Sequence, residues 1–225
     1  MDNMLNSSPA GESMPWYDVW MEVITHPSRE SFRTILADPK SSPARAFIWV
    51  AILGAIFGVA QAVVIQVFGS SLYQDLPDIG LAPFVLCLAI ATPIFSVIGL
   101  AINAAIYHGI SLLLKGEGKY GDLVYTLGAI QAPISIVSLL ISLITNAVTA
   151  SAGSAGTPGT LCLVPLSLAI GIYTIVLQVM AIDTVEKFGT GKAVLTVLIP
   201  VILGLLLGVC LVATIGLAAF QQFGQ

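Results

Sequence analysis

The stretch AFIWVAILGAIFGVAQAVVIQVF, residues 46–68, decides the fold: 23 consecutive positions carry no charged side chain. A bilayer core about 30 Å thick takes roughly 20 apolar residues at a rise of about 1.5 Å each, so this run can cross one as a helix. Four further runs meet the same test: Ala82 to Leu114, Leu123 to Val148, Leu161 to Ile182, and Ala193 to Phe220. The second, at 33 residues, is too short for two crossings with a turn between them. It contains Pro93, and the fifth contains Pro200, where a helix is expected to bend. The reading is an all-α integral membrane bundle of five transmembrane helices (about 46–68, 82–114, 123–148, 161–182 and 193–220). A disordered tail (1–13) and a short amphipathic cytoplasmic segment (14–45) precede the membrane domain (46–220).

Composition supports lipid as part of the solvent. The 225 residues are 57% hydrophobic and only 9% charged, against about 25% charged in soluble proteins. A net charge of −4 without a basic cluster argues against nucleic acid as a partner. Residues 1–45 carry six acids and four bases, so charge does not draw this segment to anionic lipid. Cys87, Cys162 and Cys210 match no metal-ligand spacing and read as inert thiols in apolar segments. No signal peptide is visible ahead of Ala46, so the first span is expected to direct insertion.

All eight Lys and Arg residues fall in three places: the N-terminal segment, the second-to-third loop (Lys115, Lys119) and the fourth-to-fifth loop (Lys187, Lys192). By the positive-inside rule these segments are cytoplasmic and the C-terminus lies outside. This clean alternation independently supports five spans. The outer connections, a short acidic turn around Asp75–Gly80 and a small-residue tract at Ser151–Gly159, read as passive.

Within the entry segment, Trp16, Val19, Trp20, Val23 and Ile24 recur at helical spacing after Pro15. Beyond Pro27, Phe32, Ile35 and Leu36 repeat the pattern. Two short amphipathic helices are expected, with Trp16, Trp20 and Phe32 as candidate interfacial anchors. The alternative is that this face packs on the protein's own cytoplasmic surface.

No Asp, Glu, Lys or Arg lies inside the five runs, which weakens an ion-coupled carrier reading. The polar residues that remain there are Gln61, Asn103, His108, Gln131 and Gln178. Asn103, Gln131 and Gln178 lie about 7 to 17 Å from the cytoplasmic ends and His108 about 9 Å. Asn103, His108, Gln131 and Gln178 are therefore a candidate intramembrane polar cluster. It is either a set of interhelical hydrogen bonds or a pocket for a lipid headgroup or small polar ligand. Gly54 and Gly58 in the first span, and Gly204 and Gly208 in the fifth, form GxxxG pairs that mark close helix packing, internal or between copies. Ser135, Ser138 and Ser142 share one face of the third span. The only histidines, His26 and His108, have no carboxylate in a motif-like spacing, and no HExxH, GxSxG or Walker-type sequence occurs. No enzyme activity, cofactor or metal is expected, and the glycines at 116, 118 and 121 follow no strand that would make them a phosphate cradle.

The order of these parts resembles a known family. Trp20, Pro27 and Phe32 precede the first span, and His108 comes just before Lys115-Gly116-Glu117-Gly118-Lys119-Tyr120. Gln131-Ala132-Pro133 lies in the third span, and Gly189 to Lys192-Ala193 leads into a last span with Pro200. This is similar to the Yip domain family (Ypt-interacting proteins) in its prokaryotic form, over about residues 16–217. The resemblance implies a five-span fold and, for a prokaryotic member, the plasma membrane. Eukaryotic members act in vesicle trafficking, associate with Rab-type GTPases and one another, and are thought to influence membrane shape. This chain has only Asp75-Leu76-Pro77 where that branch has Asp-Leu-Tyr-Gly-Pro, and no long N-terminal region, which argues against Rab binding. The expected partners are the lipid bilayer and either further copies or other membrane proteins. The expected function is non-enzymatic scaffolding or membrane organisation. The alternatives are a channel, carrier or lipid-handling protein using the polar cluster, and an accessory subunit of a larger membrane complex.

Overall fold

The computed structural model describes residues 13–68, 81–152 and 157–223, with side chains described over 13–64, 83, 85–148, 163–206 and 208–210. The tail at 1–12, the acidic turn and the centre of the small-residue tract lie outside the described residues. Seven helices follow in order: α1 (Trp16–Thr25), α2 (Arg29–Leu36), α3 (Pro43–Phe68), α4 (Leu81–Leu113), α5 (Tyr120–Ala152), α6 (Thr157–Glu186) and α7 (Thr190–Phe223). The last five are long and apolar enough to cross a membrane. α4 runs unbroken through Pro93, as α7 does through Pro200, so the second apolar run is a single span.

Local chemistry explains where the helices begin. Pro43 occupies the first turn of α3, where its missing N–H costs nothing, and Ser42 Oγ accepts the Arg45 N–H at 3.3 Å. Ser28 caps α2, its hydroxyl accepting the Ser31 N–H at 3.1 Å. At its far end α6 runs past Ile182, where hydropathy alone ends it, and takes in Asp183 and Glu186. Both carboxylates are buried, and both find partners.

The buried core gathers at one end of the bundle, the end that carries every Lys and Arg and is called the basic end below. It joins Val19 and Val23 of α1, Phe32 and Ile35 of α2, Trp49 of α3, Leu100 of α4, Leu123 to Ile130 of α5, Leu177 to Val185 of α6 and Val197 of α7. Away from this end the helices present Ile, Leu, Val and Phe outward, as lipid-facing helices do. Phe32 is fully buried. It therefore cannot serve as the interfacial anchor its sequence pattern suggested, because α2 turns its apolar side onto α5 and α6. Trp20 is half-buried against the core, and of the three only Trp16 stays exposed.

An aromatic ladder docks α1. Trp16, Trp20, Trp49 and Tyr125 follow one another at centroid spacings of 4.6, 5.8 and 5.7 Å, with the first two contacts edge-on. The Arg45 guanidinium sits 5.0 Å from the Trp49 ring centroid. Tyr173 of α6 donates its hydroxyl to the Ile24 carbonyl at the end of α1, at 2.5 Å.

The two glycine pairs differ sharply. A Cβ on Gly54 would lie 2.9 Å from the Pro93 Cα, and one on Gly58 would lie 2.5 Å from the Leu88 carbonyl oxygen, so α3 and α4 touch backbone to backbone. Gly204 and Gly208 meet nothing within 4 Å, and from Ile202 to Cys210 the described side chains of α7 are exposed. Internal packing therefore accounts for the first pair and not the second. Gly58→Leu should cost about 1–3 kcal/mol through overpacking, while Gly204→Leu should stay within about 0.5 kcal/mol. Thermal unfolding of the detergent-solubilised protein checks this, and equal midpoints for the two variants would contradict the α3–α4 contact.

Candidate functional site

The basic end holds three buried or half-buried charge clusters. The first is built on Glu186, the last residue of α6, which is 0% exposed. One carboxylate oxygen accepts the Gly118 N–H at 3.0 Å, and the other lies 2.9 Å from His108 Nδ1. The Glu186 carbonyl accepts the Glu117 N–H at 3.2 Å. A Cβ at Gly116 would fall 2.4 Å from Glu186 Oε2, and one at Gly118 would fall 2.8 Å from its carboxyl carbon. The glycines of the α4–α5 loop thus make room for a carboxylate of the protein itself. His108 does have an acidic partner, 78 residues away and invisible to any local spacing.

The second cluster pairs Arg29 at the start of α2 with Asp183 of α6. Thr190, at the start of α7, accepts from Arg29 and donates to Asp183 Oδ2 at 3.3 Å. The third pairs Asp38 with Arg45 at 2.8 Å, and Arg45 also donates to the Met14 carbonyl at 2.6 Å. Lys192 closes the end by donating to the Leu114 carbonyl at 3.0 Å, satisfying an orphan acceptor at the terminus of α4. Each cluster ties a terminal segment or loop to the bundle, so the entry segment and both lysine loops form one packed layer.

Above this layer lies a cavity of about 430 Å3. α4 contributes Thr92, Ser96 and Asn103 to its wall, spaced so that one helix face bears all three. α5 contributes Gln131, Ser135 and Ser138, and α6 contributes Thr174 and Gln178. Asn103, Gln131 and Gln178 thus line one space. His108 is not among its lining residues and belongs to the Glu186 cluster instead. Tyr107, outside the lining, donates its hydroxyl to Gln178 Oε1 at 3.1 Å across the α4–α6 gap. Gln61 lies elsewhere and donates to Ser142 Oγ at 2.8 Å, joining α3 to α5. Cys87 and Cys210 are free and exposed.

Sequence reasoning missed Glu186 and Asp183, together with Arg29, Asp38 and Arg45. The signal was an acidic pair at i, i+3 just past the fourth apolar run. Loss of Glu186 would leave both the Gly118 N–H and His108 unpaired. Glu186→Ala should therefore lower stability by about 3 kcal/mol, whereas Glu117→Ala, at an exposed side chain one residue from Gly118, should cost under about 0.5 kcal/mol. Chemical denaturation of both variants in micelles provides the comparison, and similar midpoints would remove Glu186 from this role.

Comparison with known proteins gives one family. We found no match among curated proteins or among solved structures. The model of the Yip1 domain matches residues 21–211, a stretch that takes in α2 to α6, the second half of α1 and the packed part of α7. Five helices fit to span a membrane and a family match over most of the sequence lead to one conclusion: this chain is a membrane protein of the Yip1 domain family.

Proposed function

We propose that this is a non-enzymatic membrane-organising protein whose basic end faces the cytoplasm and whose α1–α2 segment lies at the inner headgroup level. One observation carries the reading. α1 buries Val19 and Val23 on the bundle while leaving Trp16, Tyr17 and Met21 about half exposed on its outer side. An aromatic, sulfur-bearing face of this kind suits the headgroup region, where amphipathic rings are enriched. Two helices beside the bundle at one end, with none described at the other, give the protein a larger cross-section on one side of the bilayer. Such a shape favours curvature of one sign.

The non-enzymatic part rests on the state of the best candidate for acid–base chemistry. Glu186 has no exposed surface, and its two oxygens are occupied by Gly118 and His108. The pair is built as a latch between α4, the α4–α5 loop and α6, with no oxygen free for a substrate. The positive-inside rule supports the orientation, since every Lys and Arg lies at the same end.

In vesicles doped with brominated lipid, tryptophan fluorescence should be quenched, and most of that quenching should disappear in Trp16→Phe. The double variant Trp16→Ser/Met21→Ser, which leaves the buried Val19 and Val23 in place, should lose any preference for small over large vesicles. Quenching unchanged in Trp16→Phe, or vesicle preference unchanged in the double variant, would count against the headgroup-level placement of α1.

A further inference from the structure

We propose that the cavity between α3, α4, α5 and α6 binds the uncharged, hydroxyl-bearing head of a neutral amphiphile of the diacylglycerol type, admitted sideways from the lipid. This goes beyond the membrane-organising reading and does not depend on it.

The first observation is a hydrogen-bonding deficit. A serine or threonine in a membrane helix ordinarily returns its hydroxyl proton to a carbonyl one turn back, and Ser135 and Thr174 do so here at 2.8 Å each. Thr92, Ser96 and Ser138 line the same cavity and make no hydrogen bond among the described residues. The same holds for the Gln131 side-chain amide and for Gln178 Nε2, whose oxygen alone is engaged by Tyr107. Counted along the helices, Gln178 lies about 12 Å from the end of α6 and Ser138 about 27 Å from the start of α5. These groups therefore sit at the depth of hydrocarbon, where an unpaired polar group is costly. Something with donors and acceptors belongs among them.

The second observation is charge. No Asp, Glu, Lys or Arg lines the cavity. An anionic or cationic head would be taken out of water with no opposite charge to meet it, a strongly unfavourable transfer. Amides and hydroxyls suit hydroxyls and ester carbonyls instead. The space, about 430 Å3, falls in the range of small-molecule sites, roughly 300–1,000 Å3. Its remaining wall is apolar, with Leu53, Phe57 and Ile134 placed to meet the first methylenes of an acyl chain.

The third observation is access. Among the described residues α4 and α6 have no extended contact, and the gap between them is bridged by the Tyr107–Gln178 bond and, at the basic end, by His108–Glu186. α7 packs on both helices near the basic end through Ala193 and Val197, but contributes nothing to the cavity wall. From Ile202 onward its described side chains are exposed. Among the described residues the side of the cavity between α4 and α6 is thus left uncovered at the depth where acyl chains lie, and a lipid can place its head inside while its chains stay in the bilayer.

The test uses the full chain in nanodiscs with a photoactivatable diacylglycerol carrying its diazirine near the glycerol. Saturable labelling of peptides containing Ser96 or Gln131 is expected, competed by unlabelled diacylglycerol. A photoactivatable phosphatidylglycerol should not label these peptides saturably. Gln131→Leu should weaken apparent affinity about fivefold to tenfold, the loss of one or two neutral hydrogen bonds. Ser96→Ala, which removes only an oxygen, should weaken it by up to about fivefold while leaving the unfolding midpoint in place. It therefore gives an answer even if Gln131→Leu does not fold. Absence of saturable labelling would mean a cavity filled with water alone and would overturn the proposal. So would equal labelling by the anionic probe, or unchanged affinity in Ser96→Ala.

Discussion

A carboxylate with no exposed surface must be paired, and the basic end of this protein is arranged around that constraint at Glu186. Its oxygens hold a backbone N–H of the α4–α5 loop and a histidine near the end of α4, while its own carbonyl holds a second loop N–H. The end of α4 and the loop that follows it are thereby both fixed to the end of α6 by one residue. The neighbouring Asp183 extends the same logic to α2 and the start of α7. Breaking a buried pair of this kind leaves an uncompensated charge, which is costlier than the pair is stabilising. The clusters therefore specify one arrangement more than they add net stability.

From this fixed end the rest of the architecture follows. Among the described residues the fully buried side chains concentrate in the layer beneath the cavity, and at the α3–α4 seam Gly54 and Gly58 bring two backbones together. Among the described residues α4 and α6 make no extended contact, and the α7 side chains from Ile202 onward are exposed. The described residues are thus densely packed at the basic end, with a polar cavity above that layer. A fixed layer that carries an exposed aromatic face suits the proposed action on the bilayer.

Much of this was legible in the sequence. Five apolar runs and the confinement of Lys and Arg to three segments suffice for an all-helical, five-span reading, because hydrocarbon thickness and backbone hydrogen bonding leave few other solutions. Asn103, Gln131 and Gln178 shared a depth, and depth is enough to suggest that they meet. His108 shared that depth too but faces Glu186, since depth along a helix says nothing about the direction a residue faces. Phe32 carried an amphipathic pattern that fits a headgroup surface and a protein surface equally well, and only the position of α5 and α6 separates the two. The Gly116–Gly118 loop was read against external phosphate, whereas its ligand is a carboxylate 68 residues beyond Gly118. Glu186 itself was passed over because a charge after a span reads as a solvated end until its partners are known.

Hydrogen exchange at the Gly118 amide, measured on the full chain in lipid nanodiscs, tests the Glu186 latch most directly. Gly118 sits in a short loop at a helix junction, where amides ordinarily exchange quickly. The account predicts protection there comparable to that of the first hydrogen-bonded turns of α5, because the N–H is held by a carboxylate with no exposed surface. Exchange at the rate of an open loop would contradict it.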